Sequence, residues 1–248
     1  LAELTQITVV ADFRSRDIAA GGQGAPLVPA FHKALFGDAD KHRIIVNIGG
    51  IANITKLNPN DEVIGFDCGP GNMLMDAWSL RHTGKGYDDK GQWAKTGKII
   101  QSLLDILMDE SFFSLPPPKS TGRDLFNLHW LEHKISQCAP QAPENVQATL
   151  LQLTVISIVD AITDYCPTAS EIYVCGGGAH NTHLINQLSN AMPHCTVALT
   201  NKLGVDADWV EAFAFAWLAQ LTILGKPGNL SAVTGAKGER VLGAIYPA

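Results

Sequence analysis

The sequence has no CxxC pair, no basic block and no run approaching the ~18 to 20 apolar residues of a membrane span, and each absence removes a class of function. Its five cysteines, at positions 68, 138, 166, 175 and 195, form an odd set without paired spacing. Reduced thiols in a cytoplasmic protein are therefore expected, not a disulfide framework. The formal net charge of −6 is spread along the chain with no cationic cluster, which argues against a sequence-independent grip on nucleic acid. Phosphate groups, if bound, must be held by backbone amides or metal. Neither GxxxxGKS/T nor GxGxxG occurs, so P-loop and dinucleotide-binding readings are weak.

What is there is ordinary globular material. The 248 residues are 46% hydrophobic and 17% charged, enough to bury a core without covalent staples, as one large domain or two small ones. The chain opens on Leu1, which leads to the expectation that something upstream is missing. Two glycine-rich turns stand out: Asn47-Ile48-Gly49-Gly50-Ile51-Ala52-Asn53, and Gly176-Gly177-Gly178 after Val174-Cys175. Each follows an apolar, β-branched run, so each reads as a strand ending where side chains vanish and a ligand can reach the backbone. Between them, Gly65-Phe66-Asp67-Cys68-Gly69-Pro70-Gly71-Asn72 places a carboxylate at a strand end against a third bare turn.

Along the chain, a strand is expected at 7–10 and a helix from about Ala25-Pro26. Three strands then follow, at 44–48, 52–57 and 63–66, in an antiparallel meander. Helices follow at 72–83 and 144–165, with a polar, helix-rich stretch between, in which Thr121 and Asp124 make an approximate capping pair. Strands at 171–175 and 196–199 alternate with helices at 179–191 and 208–224. The sum is a mixed sheet covered by helices, an α/β fold.

Each candidate site residue has a bland alternative. The turn at Gly49 and Gly50 reads equally as an anion-cradling nest or as a tight hairpin demanding positive φ. Gly176 to Gly178 favour a nucleotide, because bare backbone precedes a helix start. Asp67 suits proton abstraction, against an Asx-turn or a helix cap near Asn72. Asp12 and Arg14 either pair with each other on the surface or touch a substrate. Glu211, in an otherwise apolar helix, either offsets the helix dipole or points into a cleft. His129 with His133, and His180 with His183, read as solvated helix faces, and Cys68 as a small side chain filling a tight turn.

Taken in order, Ala11-Asp12-Phe13-Arg14, Gly21-Gly22-Gln23-Gly24-Ala25-Pro26-Leu27, the Asn47 and Asp67 motifs, Lys119-Ser120-Thr121-Gly122-Arg123 and Cys175-Gly176-Gly177-Gly178 resemble the anhydro-N-acetylmuramic acid kinase family. The resemblance runs the length of the chain. It implies an actin-like ATPase fold, in which ribonuclease H-like domains clasp ATP and Mg²⁺. On that pattern residues 1–43 are the end of a first domain and 44–248 a second, with a helical insertion at about 84–143. It also implies a homodimer acting on small molecules, with neither nucleic acid nor membrane as partner. The implied reaction opens the anhydro ring of 1,6-anhydro-N-acetylmuramic acid with water and phosphorylates its 6-oxygen, in peptidoglycan recycling. Asp67 would be the base that activates the water. Asn47, Gly49, Gly50 and Asn53 would form a phosphate loop, Gly176, Gly177 and Gly178 the adenosine-side turn, and Asp12, Arg14 and Glu211 sugar contacts. Cys68 stands where the family is expected to have threonine. Nothing matches the family's first phosphate loop, a Gly-Met-Ser-Gly-Thr-Ser-like turn, so the 248 residues alone are expected to be severely impaired. The alternatives are a non-catalytic nucleotide- or sugar-binding fragment, or another sugar kinase of the same superfold.

Overall fold

The structure, a computed structural model, describes all 248 residues. Seven strands form: β1 (Val9–Ala11), β2 (Arg43–Ile48), β3 (Ile51–Leu57), β4 (Ile64–Pro70), β5 (Glu171–Cys175), β6 (Thr196–Leu199) and β7 (Ala244–Tyr246). Helices of eight residues or more are α1 (Val28–Phe36), α2 (Met73–Thr83), α3 (Gln101–Met108), α4 (Leu128–Ile135), α5 (Pro143–Tyr165), α6 (Thr182–Ala191) and α7 (Val210–Ile223).

Five strands make the central sheet in the order β4-β3-β2-β5-β6. The two-residue link Gly49-Gly50 and the turn at 58–63 force β2, β3 and β4 into an antiparallel meander. Because β5 lies parallel to β2, the chain must cross over before it, and α2 through α5 supply that crossover. The link through α6 does the same for β6. An antiparallel meander extended by two parallel strands beside its first strand is the ribonuclease H-like topology.

The sheet is covered on both faces. Phe66 and Cys68 of β4 point to the side of α5, where the Phe66 and Tyr165 rings meet edge-on at 5.0 Å. On the opposite face Gly65 lies so close under Pro29 of α1 that a Cβ would sit 2.7 Å from the proline ring. His32 of α1 is fully buried there, with Nδ1 2.8 Å from the Thr55 hydroxyl of β3. By length and composition α5 could cross a bilayer, but 67% of its most apolar window is buried inside the fold, where it is the core helix.

Several elements differ from the sequence reading. The first helix begins at Val28 with Pro29 in its first turn, past the Ala25-Pro26 start that was expected. Residues 121–126 form no helix: the Thr121 amide is taken by Asp67, and α4 starts later, where the Asn127 side chain accepts from the Trp130 amide at 3.0 Å. β7 was not foreseen, since three residues carry no period. It pairs antiparallel with β1, joining residues near the two ends of the chain.

A buried carboxylate makes a second link between the two ends of the chain. Asp17, fully inaccessible, accepts from the Gly24 amide (2.8 Å), Asn229 Nδ2 (2.7 Å) and the Thr234 hydroxyl (2.7 Å), so it ties the 21–24 loop to the C-terminal segment. Gly22 is required beside it, because a Cβ there would strike the Asp17 carboxylate.

Candidate active site

Three glycine turns converge at one end of the sheet. The β2–β3 hairpin tip and the segment after β4 are joined by Gly71 N–H to Gly50 O (2.9 Å) and Asn72 N–H to Gly49 O (2.8 Å). Asn72 also donates from Nδ2 to Ile48 O at 3.2 Å. Gly176 closes the third side. Its φ is +79°, and a Cβ there would collide with the Asn47 side chain and lie 2.9 Å from Ile48 O, so only glycine brings β5 this close to β2.

Gly49 and Gly50 are different. Neither has a positive φ, and Cβ atoms there would make ordinary contacts at 3.6 and 3.7 Å. The hairpin does not demand glycine, which removes the bland reading of that turn. What glycine leaves there is open space above the backbone. The amides of Gly50, Gly177 and Gly178 make no hydrogen bond within the protein. Unpaired N–H groups at bare turns are what an anionic ligand needs.

Two cavities meet at Gly177. One, of about 500 Å³, is bordered by Asn72 and Asp76 of the α2 region, by Tyr87, Asp88 and Lys90 of the following loop, and by His180 and Asn181. The other, of about 130 Å³, is bordered by Asn47, Cys175, Gly176, His32, Asp208 and Glu211. Burial in the company of Asp88 pushes the Asp76 carboxyl up to about 6. Sequence reasoning missed Asp76 and the Tyr87–Lys90 loop. The Gly84-Lys85-Gly86 stretch before that loop was the only local signal.

Asp67, Asn53, Asn47 and Cys175 are cross-strand neighbours and form one row on the α1 and α7 face. Asp67 and Asn47 are two strand spacings apart, about 10 Å. Asp67 was expected at a strand end, but β4 continues to Pro70 because Gly69 and Pro70 still pair with Ala52 and Ile51. The carboxylate is 8% exposed, and it borders neither cavity. Its Oδ2 accepts from the Thr121 amide at 2.9 Å. Oδ1 has no partner and is not sealed from solvent, so it is the free oxygen. Burial raises the group to about 6, opposed by the Thr121 hydrogen bond. A carboxylate poised there is mostly ionised at neutrality yet more basic than an ordinary aspartate, so it can accept a proton.

The sugar-contact candidates separate. Glu211, at the start of α7, borders the smaller cavity with Asn47. Asp12 and Arg14 are exposed and do not pair: Asp12 accepts from the Ser15 hydroxyl (2.6 Å), and Arg14 Nε donates to Gly24 O (3.1 Å). His129 and His133 are exposed, His183 is half-buried, and His180 meets Asp208 at 2.8 Å on the surface. Cys68 is buried against α5, where burial pushes its thiol far up, so it fills space and is no nucleophile.

A mixed five-stranded sheet of ribonuclease H-like topology, with bare turns converging at one end, is an architecture of the kinase and ATPase class of α/β proteins. The chain belongs to the anhydro-N-acetylmuramic acid kinase family, whose sequence model matches residues 1–248. Proteins named anhydro-N-acetylmuramic acid kinase are similar to it over all 248 residues: at 62% identity in Nitrosospira multiformis and 60% in Nitrosomonas europaea. Another, at 55% identity, comes from Pseudomonas syringae pv. syringae. The match covers 67%, 68% and 68% of those relatives.

Proposed function

We propose that this chain acts as an ATP-dependent kinase that hydrolyses the anhydro ring of 1,6-anhydro-N-acetylmuramic acid while phosphorylating its 6-oxygen. The product is N-acetylmuramic acid 6-phosphate, within peptidoglycan recycling. Family membership supports the reaction class. One structural observation carries the placement: the unpaired amides of Gly50, Gly177 and Gly178 lie in turns at one end of the sheet that holds Asp67, and Gly177 borders a cavity of about 500 Å³ there.

The residues divide the work. Gly49 and Gly50 keep the phosphate loop bare, with the free Gly50 amide as its donor; Gly176 to Gly178 form the adenosine-side turn, and the larger cavity takes the nucleoside. Asn47 and Asn53 hold polar groups between that edge and Asp67. Asp67 Oδ1 takes a proton from the water that attacks the anomeric carbon, and the released bridge oxygen accepts the phosphoryl group. Asp208 borders the smaller cavity beside Gly176 and would offer one carboxylate to a hydrated Mg²⁺ held mainly by the nucleotide's phosphates. The ion supplies neutralisation of phosphate charge when bound there. Asp12, Arg14 and Glu211 are the sugar contacts in this reading. The protein works as a cytoplasmic homodimer, in which residues 44–248 form a second domain and the end of the first, residues 1–43, packs onto it through α1 and the β1–β7 pairing. Transfer draws on both walls of a cleft, so the 248 residues alone should bind nucleotide yet turn over poorly.

Calorimetry on the chain tests the nucleotide site: Mg·ADP binds, and Asp67→Asn leaves that binding within about twofold. Turnover in ¹⁸O-water tests the chemistry, since even a slow reaction yields product. Label belongs on the sugar's anomeric oxygen; label on phosphate and none on the sugar would reject Asp67 as the water-activating base.

A further inference from the structure

Asp67 is gripped by a segment remote in sequence. The Asp67 amide donates to Lys119 O at 3.1 Å, and two residues on, the Thr121 amide donates back to Asp67 Oδ2 at 2.9 Å. Residues 119–121 thus lie against β4 like a short extra strand. Their anchor is Lys119, whose side chain crosses to the other face of the strand. Its ammonium donates to Phe112 O (3.2 Å) and Phe113 O (3.1 Å) and stands 4.7 Å from the Phe112 ring centroid and 5.8 Å from that of Phe66.

Lys119 is only 7% exposed and has no carboxylate partner, a costly state for an ammonium, and burial lowers its affinity for the proton. It borders a cavity of about 460 Å³ that Asp160 and Asp164 also line, yet pairs with neither. The carbonyls that hold it are themselves fixed on β4, because Gly69 lets the Phe113 ring approach so closely that a Cβ would sit 2.7 Å from it. The anchor therefore starts and ends on the strand that carries Asp67. No ion pair involves Asp67, and its cross-strand neighbour Asn53 is uncharged. The helical turn Ser231–Thr234, which packs on β4, carries no charge either. The Lys119 charge faces Cys68 and Asp164 on the far side. The Thr121 amide is thus the sole polar group that fixes the carboxylate.

We infer that Lys119 is a positioning residue for Asp67: by pinning residues 119–121 to β4 it aims the Thr121 amide at Oδ2, which sets the carboxylate's orientation and leaves Oδ1 free. This rests on the reading of Asp67 as a base only for its consequence in turnover. The clamp itself is a property of the folded chain.

The test is an NMR titration of the 248-residue protein with ¹³Cγ-labelled aspartate, following Asp67 and the Thr121 amide proton together. In the wild-type protein the Thr121 amide should move with the same midpoint as the Asp67 carboxyl. Lys119→Met should raise the Asp67 midpoint by about one pH unit or more and uncouple the amide from it, Lys119→Arg should restore part of both, and Thr121→Ala, which keeps the N–H, should leave both unchanged. A Thr121 amide that ignores Asp67 in the wild-type protein overturns the inference even if Lys119→Met fails to fold. An unmoved midpoint in folded Lys119→Met overturns it too. The expected titrations in a protein whose Asp67→Asn variant turns over normally would refute the base and leave the clamp standing.

Discussion

Replacing Asp17 by alanine isolates the knot that ties the N-terminal loop to the C-terminal segment. The substitution strands three buried donors: the Gly24 amide, Asn229 Nδ2 and the Thr234 hydroxyl. Left unsatisfied, each costs about 1–3 kcal/mol. Two have a fallback, Asn229 to Gly238 O and Thr234 to Leu230 O, each at 3.4 Å, so their cost falls near the lower bound. The Gly24 amide has none. The sum is about 3–5 kcal/mol, and at about 2–4 °C per kcal/mol for a chain of this length Tm should fall by roughly 10 °C. Asp17→Asn keeps the shape, but its single carbonyl cannot serve both oxygen positions. With that oxygen toward Asn229 and Thr234, its amide confronts the Gly24 N–H, and about half the loss should appear. Thermal unfolding by calorimetry at pH 7 measures both. An alanine variant within about 2 °C of wild type, or an asparagine variant equal to it, would refute the idea that this carboxylate organises residues 17–24 and 229–236.

The two kinds of glycine should separate cleanly. Gly176→Ala forces a side chain into φ +79° and against Ile48 backbone, so it should cost at least about 1–2 kcal/mol, whereas Gly50→Ala should unfold with the wild type and lose about tenfold in Mg·ADP affinity by calorimetry. Asp67 is raised to about 6 from an unfolded value near 3.8, so its effect on stability is neutral below about pH 4, grows into a penalty between about pH 4 and 6, and levels off above 6 at about 3 kcal/mol at most. Asp67→Asn should therefore match wild type in Tm at pH 4 and exceed it at pH 7. His32, which burial holds at about 3, acts with the opposite sign and loses stability as pH falls below about 6.5, so the difference between variant and wild type isolates Asp67. Native thiol titration should find Cys138 and Cys195 reactive and Cys68, Cys166 and Cys175 silent until denaturant is added; a fast third thiol would contradict their burial.

Much of the sheet was legible because its signals are local. Glu171–Cys175 and Thr196–Leu199 are apolar runs that end in glycine or polar punctuation, and both strands form over those residues. The same runs, ending in Gly49-Gly50 and Gly176-Gly177-Gly178, marked where backbone would be bare. α5 showed its period over many turns, which is why its span was off by one residue. The capping pair at Thr121 and Asp124 had the right letters, yet the Thr121 amide was claimed by a carboxylate 54 residues away. Local propensity lost there to a tertiary hydrogen bond.

That failure shows what kind of information the site needs. Asp17 reads as one more acid in a polar turn, and nothing near it names Asn229 or Thr234. Lys119 reads as a surface lysine after three prolines, and nothing near it says that it will be buried against Phe112 and Phe66. Both carry a charge into the interior, so each must be answered by partners that folding alone delivers. Glycines announce a site from sequence because their meaning is the absence of a side chain, a local property. Buried charges do not, because their meaning is their partners. The order of motifs along this chain could therefore give the family and the candidate base before any coordinates, while the groups that hold the base in place became visible only once β4, the 112–113 turn and residues 119–121 were seen side by side.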